Sequence, residues 1–575
     1  MMLKRSILMI ILLSVWSIAS SRTENYYSSS FQQVTTTSDQ WLSSVLDRIA
    51  NYSALDTVNI FINSNIGDQH LNNTKEVKCN LLIECTYKNT YNQLIKTKII
   101  AKDSIFYANN RKDDCVIAIK GTKTSPISLS LINLEFAVEN QETDTLYYIK
   151  TYYANKMNIE GVKMTLDKGS MTNIDLRRCS NVTIKNCEFV NYNQSRVGGI
   201  LWMRGEMENI DIRDNIFRKH GNDEAIAIWG HNLIDYVDND KGDLIIKKNI
   251  SIRNNSFYYS PPEHQQDSLY SIDRYIYVYE QDTTPQIRYV YENIDISENT
   301  FYLDYISLYT LSVQFDRPTS VDNFKMTDNV FHHSGYEALA TQINDFGVSS
   351  ADVNNIEIQI ERNTFYSNTY VYKGNNKNEK NPPTGHSCLA VGGATVNFSN
   401  NIIRGTQSIN GSNSGLGMKL FYVHKSKANI DINDNVCTGI NYIGTIDDST
   451  TAIDDVTLNI KDNYIKGGKT IVYCNNVSSL SSTVLGNYID TCDANLLFQN
   501  YGLKGTLVCR GNTFILDNAA SPFYGKVYST YINGSDPHFF DIAIVTGNVL
   551  KNIVGNIAEK IVNYGLKEEF DNVSK

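Results

Sequence analysis

Residues 209–230 read NIDIRD, then Asn215, then IFRK, HGND and EAIAIWG. Ile210 and Ile212 alternate with polar neighbours, which buries one face of a strand and wets the other. Asn215 then interrupts the pattern. Asparagine tolerates left-handed backbone geometry and bonds locally, so it reads as a sharp bend. A short apolar run, a polar break and a further run, Ile226 to Trp229, complete the segment. Three strands and three bends predict one coil of a three-sided spring.

The same signature, asparagine followed by a large apolar residue, recurs along the chain. It reads Asn186-Cys187-Glu188-Phe189, Asn215-Ile216-Phe217, Asn255-Ser256-Phe257, Asn299-Thr300-Phe301, Asn329-Val330-Phe331 and Asn363-Thr364-Phe365. Further copies begin at Asn401, Asn435, Asn463, Asn487, Asn512 and Asn548. From first to last these span 362 residues in 11 steps of 24 to 44, the behaviour of a solenoid. Stacked coils would form parallel sheets, with the bend asparagines above one another and each amide bonding the next.

On these repeats the chain resembles the pectin-lyase-like superfamily of right-handed parallel β-helices, whose asparagine ladder occupies the bend between the second and third strands. The resemblance implies an all-β, right-handed parallel β-helix over residues 55–550. Earlier strands are read at 58–62, 81–86, 98–101, 115–120 and 127–136. Residues 22–54 are read as an N-terminal cap. It holds an amphipathic helix with Trp41, Leu42, Val45, Leu46 and Ile49 at helical spacing, because an open solenoid end exposes core and unpaired backbone. Residues 551–575 form the tail, with a helix expected over 553–570. Insertions at 231–247, 260–268, 372–385 and 405–414 map to loops on the solenoid's faces.

Lys4 and Arg5, an apolar run from Ile7 to Ala19 and small residues at 20–21 read as a secretory signal peptide over 1–21. That run is too short to span a bilayer, which needs about 20 residues, and no later segment suffices. The expectation is an exported protein, secreted, periplasmic or on the cell surface, without a membrane span. A net charge of −10 argues against nucleic acid, whose phosphates need a basic footprint. The ten cysteines show no metal or disulfide spacing and read as buried thiols.

The segment His220-Gly221-Asn222-Asp223-Glu224-Ala225-Ile226-Ala227-Ile228 resembles the polygalacturonase pattern, in which paired acids precede a short apolar strand. The resemblance implies Asp223 and Glu224 as catalytic acids. The second acid is Glu, however, and no Gly-His-Gly or Arg-Ile-Lys motif follows, so polygalacturonase itself is disfavoured. Glu337 occupies the place of Glu224 three coils on. At about 4.8 Å per coil the two lie roughly 14 Å apart, beyond either glycosidase geometry. Glu224 also shares parity with Ile226 and Ile228, which would turn it inward.

Keeping Ile226 and Ile228 inside places Ala225, Ala227 and Trp229 on the outer face. Trp202 and Arg204 precede them, and Asp273, Tyr275, Tyr277 and Tyr279 follow, with Gln314, Gln342 and Lys419 further on. Such a file suits a glycan: rings stack on sugar faces and polar groups take hydroxyls. Lyase chemistry would need a base, for which Arg204, Arg274 and Lys419 are candidates. It would also need a cation to stabilise the enolate, so calcium would be the cofactor, held by Asp223 and Asp273. No other metal or cofactor is called for. His220, His231, His332 and His333 are read as bend residues. Two functional expectations follow. One is a polysaccharide lyase or glycoside hydrolase acting on a glycan bound along one sheet; the alternative is a non-catalytic glycan-binding or adhesin-like solenoid.

Overall fold

The computed structural model describes residues 21–30, 38–71, 73–102, 115–139, 146–166, 171–191, 199–219, 224–229, 244–259, 274–280, 288–302, 309–315, 319–333, 337–343, 356–367, 387–405, 418–447, 452–466, 470–475, 477–491, 496–500, 504–516, 542–551, 566–570 and 573–574. The segment read as a signal peptide and most of the four insertions lie outside these residues. The fold is a parallel β-helix, and the chain divides into two compact units, residues 1–191 and 192–575.

In the first unit three parallel walls form. The first wall stacks Thr23–Tyr27, Thr57–Ile62, Asn80–Cys85, Ile127–Ile132, Ala154–Glu160 and the second half of Met171–Lys185. The second stacks Lys75–Val77, Cys115–Lys120, Leu146–Tyr152 and the first half of Met171–Lys185. The third runs from Gln69–Leu71 to Glu188–Asn191. The expected early strands therefore stand, with the 127–136 run split at Asn133, whose φ is 57°. The expected helix is present as Trp41–Ile49, burying all five apolar residues named for it. It is not preceded by cap alone: Thr23–Tyr27 already pairs in register with Thr57–Phe61, so the sheet begins ahead of the helix.

The second unit repeats the three-walled coil. Along its bend the ladder runs through Asn215, Asn255, Asn299, Asn329, Asn363, Asn401, Asn435, Asn463, Asn487, Asn512 and Asn548. Each but the last donates its backbone N–H and its Nδ2 to the Oδ1 of the next. The two bonds are both 3.0 Å from Asn215 to Asn255 and both 2.9 Å from Asn487 to Asn512. A core stack follows on the third wall, Phe217–Phe257–Phe301–Phe331–Phe365, with ring centroids 4.8–4.9 Å apart. Burying such rings contributes about 1.5–3 kcal/mol each.

Two sequence expectations are corrected. Asn186 is not a ladder residue: it is exposed with φ 54°, the conformation that Asp214 adopts just before the true ladder residue Asn215. The buried slot holds Cys187, whose thiol donates to the Ile159 and Lys185 carbonyls. Spacing shows why: Phe189 lies three residues beyond Asn186, whereas Phe217 lies two beyond Asn215. Of the helix expected over 553–570 only the end is described, and there Leu566–Phe570 is instead a strand paired in register with Ile542–Thr546; residues 553–565 lie outside the described residues. Extending an existing ladder satisfies its backbone groups and covers the last core positions.

The nine described cysteines are free and buried, as the spacing implied. Burial pushes the Cys179 thiol up to about 11 and the Cys187 and Cys509 thiols up to about 12. They are thus neutral near pH 7, and only a thiolate reacts readily. A colourless thiol reagent titrated against the native protein is expected to find at most Cys492, which lies outside the described residues. Denaturant should then release the rest. Stoichiometric labelling of several thiols in the native state would contradict this packing.

Candidate functional site

Trp202, Arg204, Glu224, Trp229, Arg274, Tyr277, Gln342 and Lys419 fall on three columns of the second wall in the second unit. Strand pairing aligns Trp202 with Ala227, Tyr277 and Ser312, and two residues on it aligns Arg204 with Trp229, Tyr279, Gln314 and Gln342. Lys419 aligns with Ser387 and Glu337; the same register carried back leads to Arg274 and Glu224. The inward alternates Leu201, Met203, Ile226, Ile228, Ile276 and Val278 are fully buried, so alternation did identify the outer face.

That face is more covered than a file of exposed rings. Trp202 and Tyr277 each keep 4% of their surface, and Ala225 and Ala227 none. Trp202 and Trp229 stack at 4.9 Å. The Arg204 guanidinium lies 4.2 Å from one ring and 4.9 Å from the other. Gly199 makes this possible, since a Cβ there would meet the Trp202 indole nitrogen at 2.2 Å. One coil on, Tyr277 stacks on Tyr279 at 4.6 Å, Arg274 lies 3.9 Å from the Tyr277 ring, and Tyr277 Oη donates to Gln314 Oε1 at 2.8 Å. Cation–π contacts of this kind contribute about 0.5–2 kcal/mol each as they are desolvated. Trp229 and Tyr279 remain half-buried and form the accessible rim.

Glu224 is buried and stands 4.0 Å from Arg274, so its charge is matched by a cation. Asp223 and Asp273 lie outside the described residues, as do His220 and His231 and the side chains of Gln342 and His333. Lys419 sits on the wall with Nζ 5.4 Å from the Tyr422 ring. Tyr275 is a correction: it is fully buried in the core, against Phe257 and Phe301, with its hydroxyl donating to the Tyr302 carbonyl. It precedes the strand Ile276–Glu280, and strand alternation does not extend back through a bend. Among the described residues no group of acids, histidines and cysteines is arranged to hold a metal ion.

Sequence reasoning missed two features. His424 lies over Gly392, where a Cβ would meet its Nε2 at 2.8 Å, on the same wall near Tyr422. His332 is not at a bend: it lies in the strand Val330–His333. There it is stacked between Tyr302 at 4.9 Å and Tyr366 at 5.1 Å, with Tyr258 beyond Tyr302 at 4.7 Å. Arg218 and Arg404 lie over the terminal rings of this outer row. Burial holds the His332 imidazole below its usual range, so it is neutral near pH 7. Equal spacing of Tyr258, Tyr302, His332 and Tyr366 after their ladder asparagines was the available signal.

Fold and wall together define a parallel β-helix bearing an aromatic and cationic surface on one sheet. No family model matches the chain, and no curated protein matches it. Among solved structures it is similar to PfbA, a surface adhesin of Streptococcus pneumoniae, at 11% identity over 87% of this chain and 93% of that one, with a TM-score of 0.32.

Proposed function

We propose that this protein is an exported, non-catalytic solenoid that binds a polysaccharide at the rim of the second wall. The observation that carries the reading is the Trp202–Arg204–Trp229 stack beside Tyr277–Tyr279, which leaves Trp229 and Tyr279 half-buried. A rigid, half-buried ring offers a sugar ring an apolar platform at little entropic cost. Gln314 lies close by for hydroxyls. Resemblance to the pectin-lyase-like superfamily supports a carbohydrate as the ligand, and the basic-then-apolar start of the chain supports export. The binder is favoured over a lyase or hydrolase because Glu224 faces a guanidinium. A general acid needs a carboxyl held protonated, and an adjacent cation works against that.

Binding and turnover separate the two readings. The whole protein would be run by affinity electrophoresis through polygalacturonate, alginate and chondroitin sulfate, and the same mixtures assayed for new chain ends. Retardation by at least one polymer, without new ends, is expected. Trp229→Ala should weaken it by about tenfold or more, as removal of a central aromatic anchor does. Chain cleavage abolished by Glu224→Gln would replace this reading with the enzyme. Failure to bind any of the polymers would overturn the glycan.

A further inference from the structure

The bend between the second and first walls differs between the two units. In the second unit it is filled by an outer ladder: Asn249 donates to Asn209, Asn293 to Asn249 and Asn323 to Asn293, at 2.8–3.0 Å, all with φ between 53° and 58°. In the first unit the same bend forms a shallow groove open to solvent, lined by Thr57, Asn80, Ser128, Asn155, Lys156 and Asn181. Asn181 donates sideways to Asn155 Oδ1 at 2.7 Å, not to the position opposite it in register. That position is Lys156, so no such ladder forms here.

Three features set Lys156 apart. Its φ is 77°, a left-handed conformation that disfavours a long side chain and favours Gly or Asn. It sits on a bulge, because Asn155 and Lys156 together oppose Ser128 where the strand Ala154–Glu160 runs beside Ile127–Ile132. Bulges re-aim side chains and recur beside functional sites. It is also exposed, and it makes no ion pair among the described residues. The groove lining contains no carboxylate. Asn80 is saturated, giving its amide to the Ala54 and Asp56 carbonyls and accepting from Ser128. Asn155 accepts from Ser180 and Asn181 through Oδ1, which leaves its Nδ2 as a donor.

We infer that this groove is a second binding site, taking a carboxylate-bearing sugar unit such as a uronate. The Lys156 ammonium meets the carboxylate, and the neighbouring Asn155 amide meets a ring hydroxyl. A cation held in strained backbone among neutral donors, in a chain of net charge −10, selects an anion over a neutral sugar. The site belongs to the first unit and does not rest on the second-wall reading.

Titration calorimetry on the whole protein, with trigalacturonate as probe and neutral trigalactose as control, tests it. Trp229→Ala, which removes the second-wall platform, serves as the background. Trigalacturonate should bind with and without Trp229, and trigalactose much more weakly. Lys156→Gly should lower trigalacturonate affinity by about tenfold or more, the weight of one charge-assisted hydrogen bond. Glycine suits the left-handed backbone, so this variant should melt no lower than the parent and folding does not confound the result. Asn155→Ala should weaken binding further. Unchanged affinity in Lys156→Gly, equal affinity for the neutral trimer, or binding lost with Trp229 alone would each overturn the site.

Discussion

Asn299→Ala is expected to lower stability by about 3–5 kcal/mol, because it orphans several buried groups at once. The Asn299 side chain is fully buried. Its Oδ1 accepts from Asn255 through both the backbone N–H and Nδ2, each at 3.0 Å. Its Nδ2 donates to the Ile252 carbonyl at 2.8 Å and to Asn329 Oδ1 at 3.1 Å. Alanine leaves two donors and a carbonyl in a dry bend, each costing about 1–3 kcal/mol before relaxation. Asn299→Asp restores an acceptor but removes the donor, and it introduces a charge where Ile252 presents its oxygen. It should be at least as damaging. Asn293→Gly provides the contrast, since Asn293 belongs to the exposed ladder and already holds φ 55°; a change within about 1 kcal/mol is expected there. Denaturant midpoints for the three variants check the ordering. A midpoint for Asn299→Ala matching that of Asn293→Gly would show that the buried amides add no more than the exposed ones.

The strands and the buried asparagines were legible because each depends on local pattern. Alternation placed 58–62 within one residue of Thr57–Ile62, and the polar break before Ile226 marked the turn into the second wall. What failed depended on something further away. Asn186 and Asn215 look alike in sequence, yet one occupies the left-handed corner and the other the buried slot after it; only the distance to the following phenylalanine separates them. The segment 553–570 carries helical spacing, but Leu566–Phe570 had the open edge of Ile542–Thr546 beside it, and pairing outweighs so weak a propensity. Alternation named the outer residues Trp202, Arg204, Trp229 and Tyr277 without revealing how deeply they stack, since an outward side chain is covered by neighbours from other coils. The Lys156 bulge left no mark in the periodicity at all. It appears only when Ala154–Glu160 is set beside its neighbouring strand.

Phe301→Ala should cost about 3–5 kcal/mol, the usual penalty for emptying a buried aromatic site. The ring is fully buried, lies 4.8 Å from Phe257 and 4.9 Å from Phe331 at interplanar angles of 13° and 11°, and touches Tyr275 across the core. The cavity therefore opens on three other rings, and the coils above and below hold the backbone in register and resist collapse. A solenoid couples only nearest neighbours, so the damage should be local. Hydrogen exchange is expected to speed up in 250–257, 294–301 and 324–331 and to stay unchanged near 456–465. Tyr302, one residue on, points outward and keeps 36% of its surface, although it stacks on Tyr258 and His332. Tyr302→Ala should cost only about 1 kcal/mol, the worth of aromatic contacts beyond area burial. Equal losses at the two positions would place as much stability in the outer row as in the core stack. Uniform exchange acceleration across the second unit would instead mean that its coils unfold as one block.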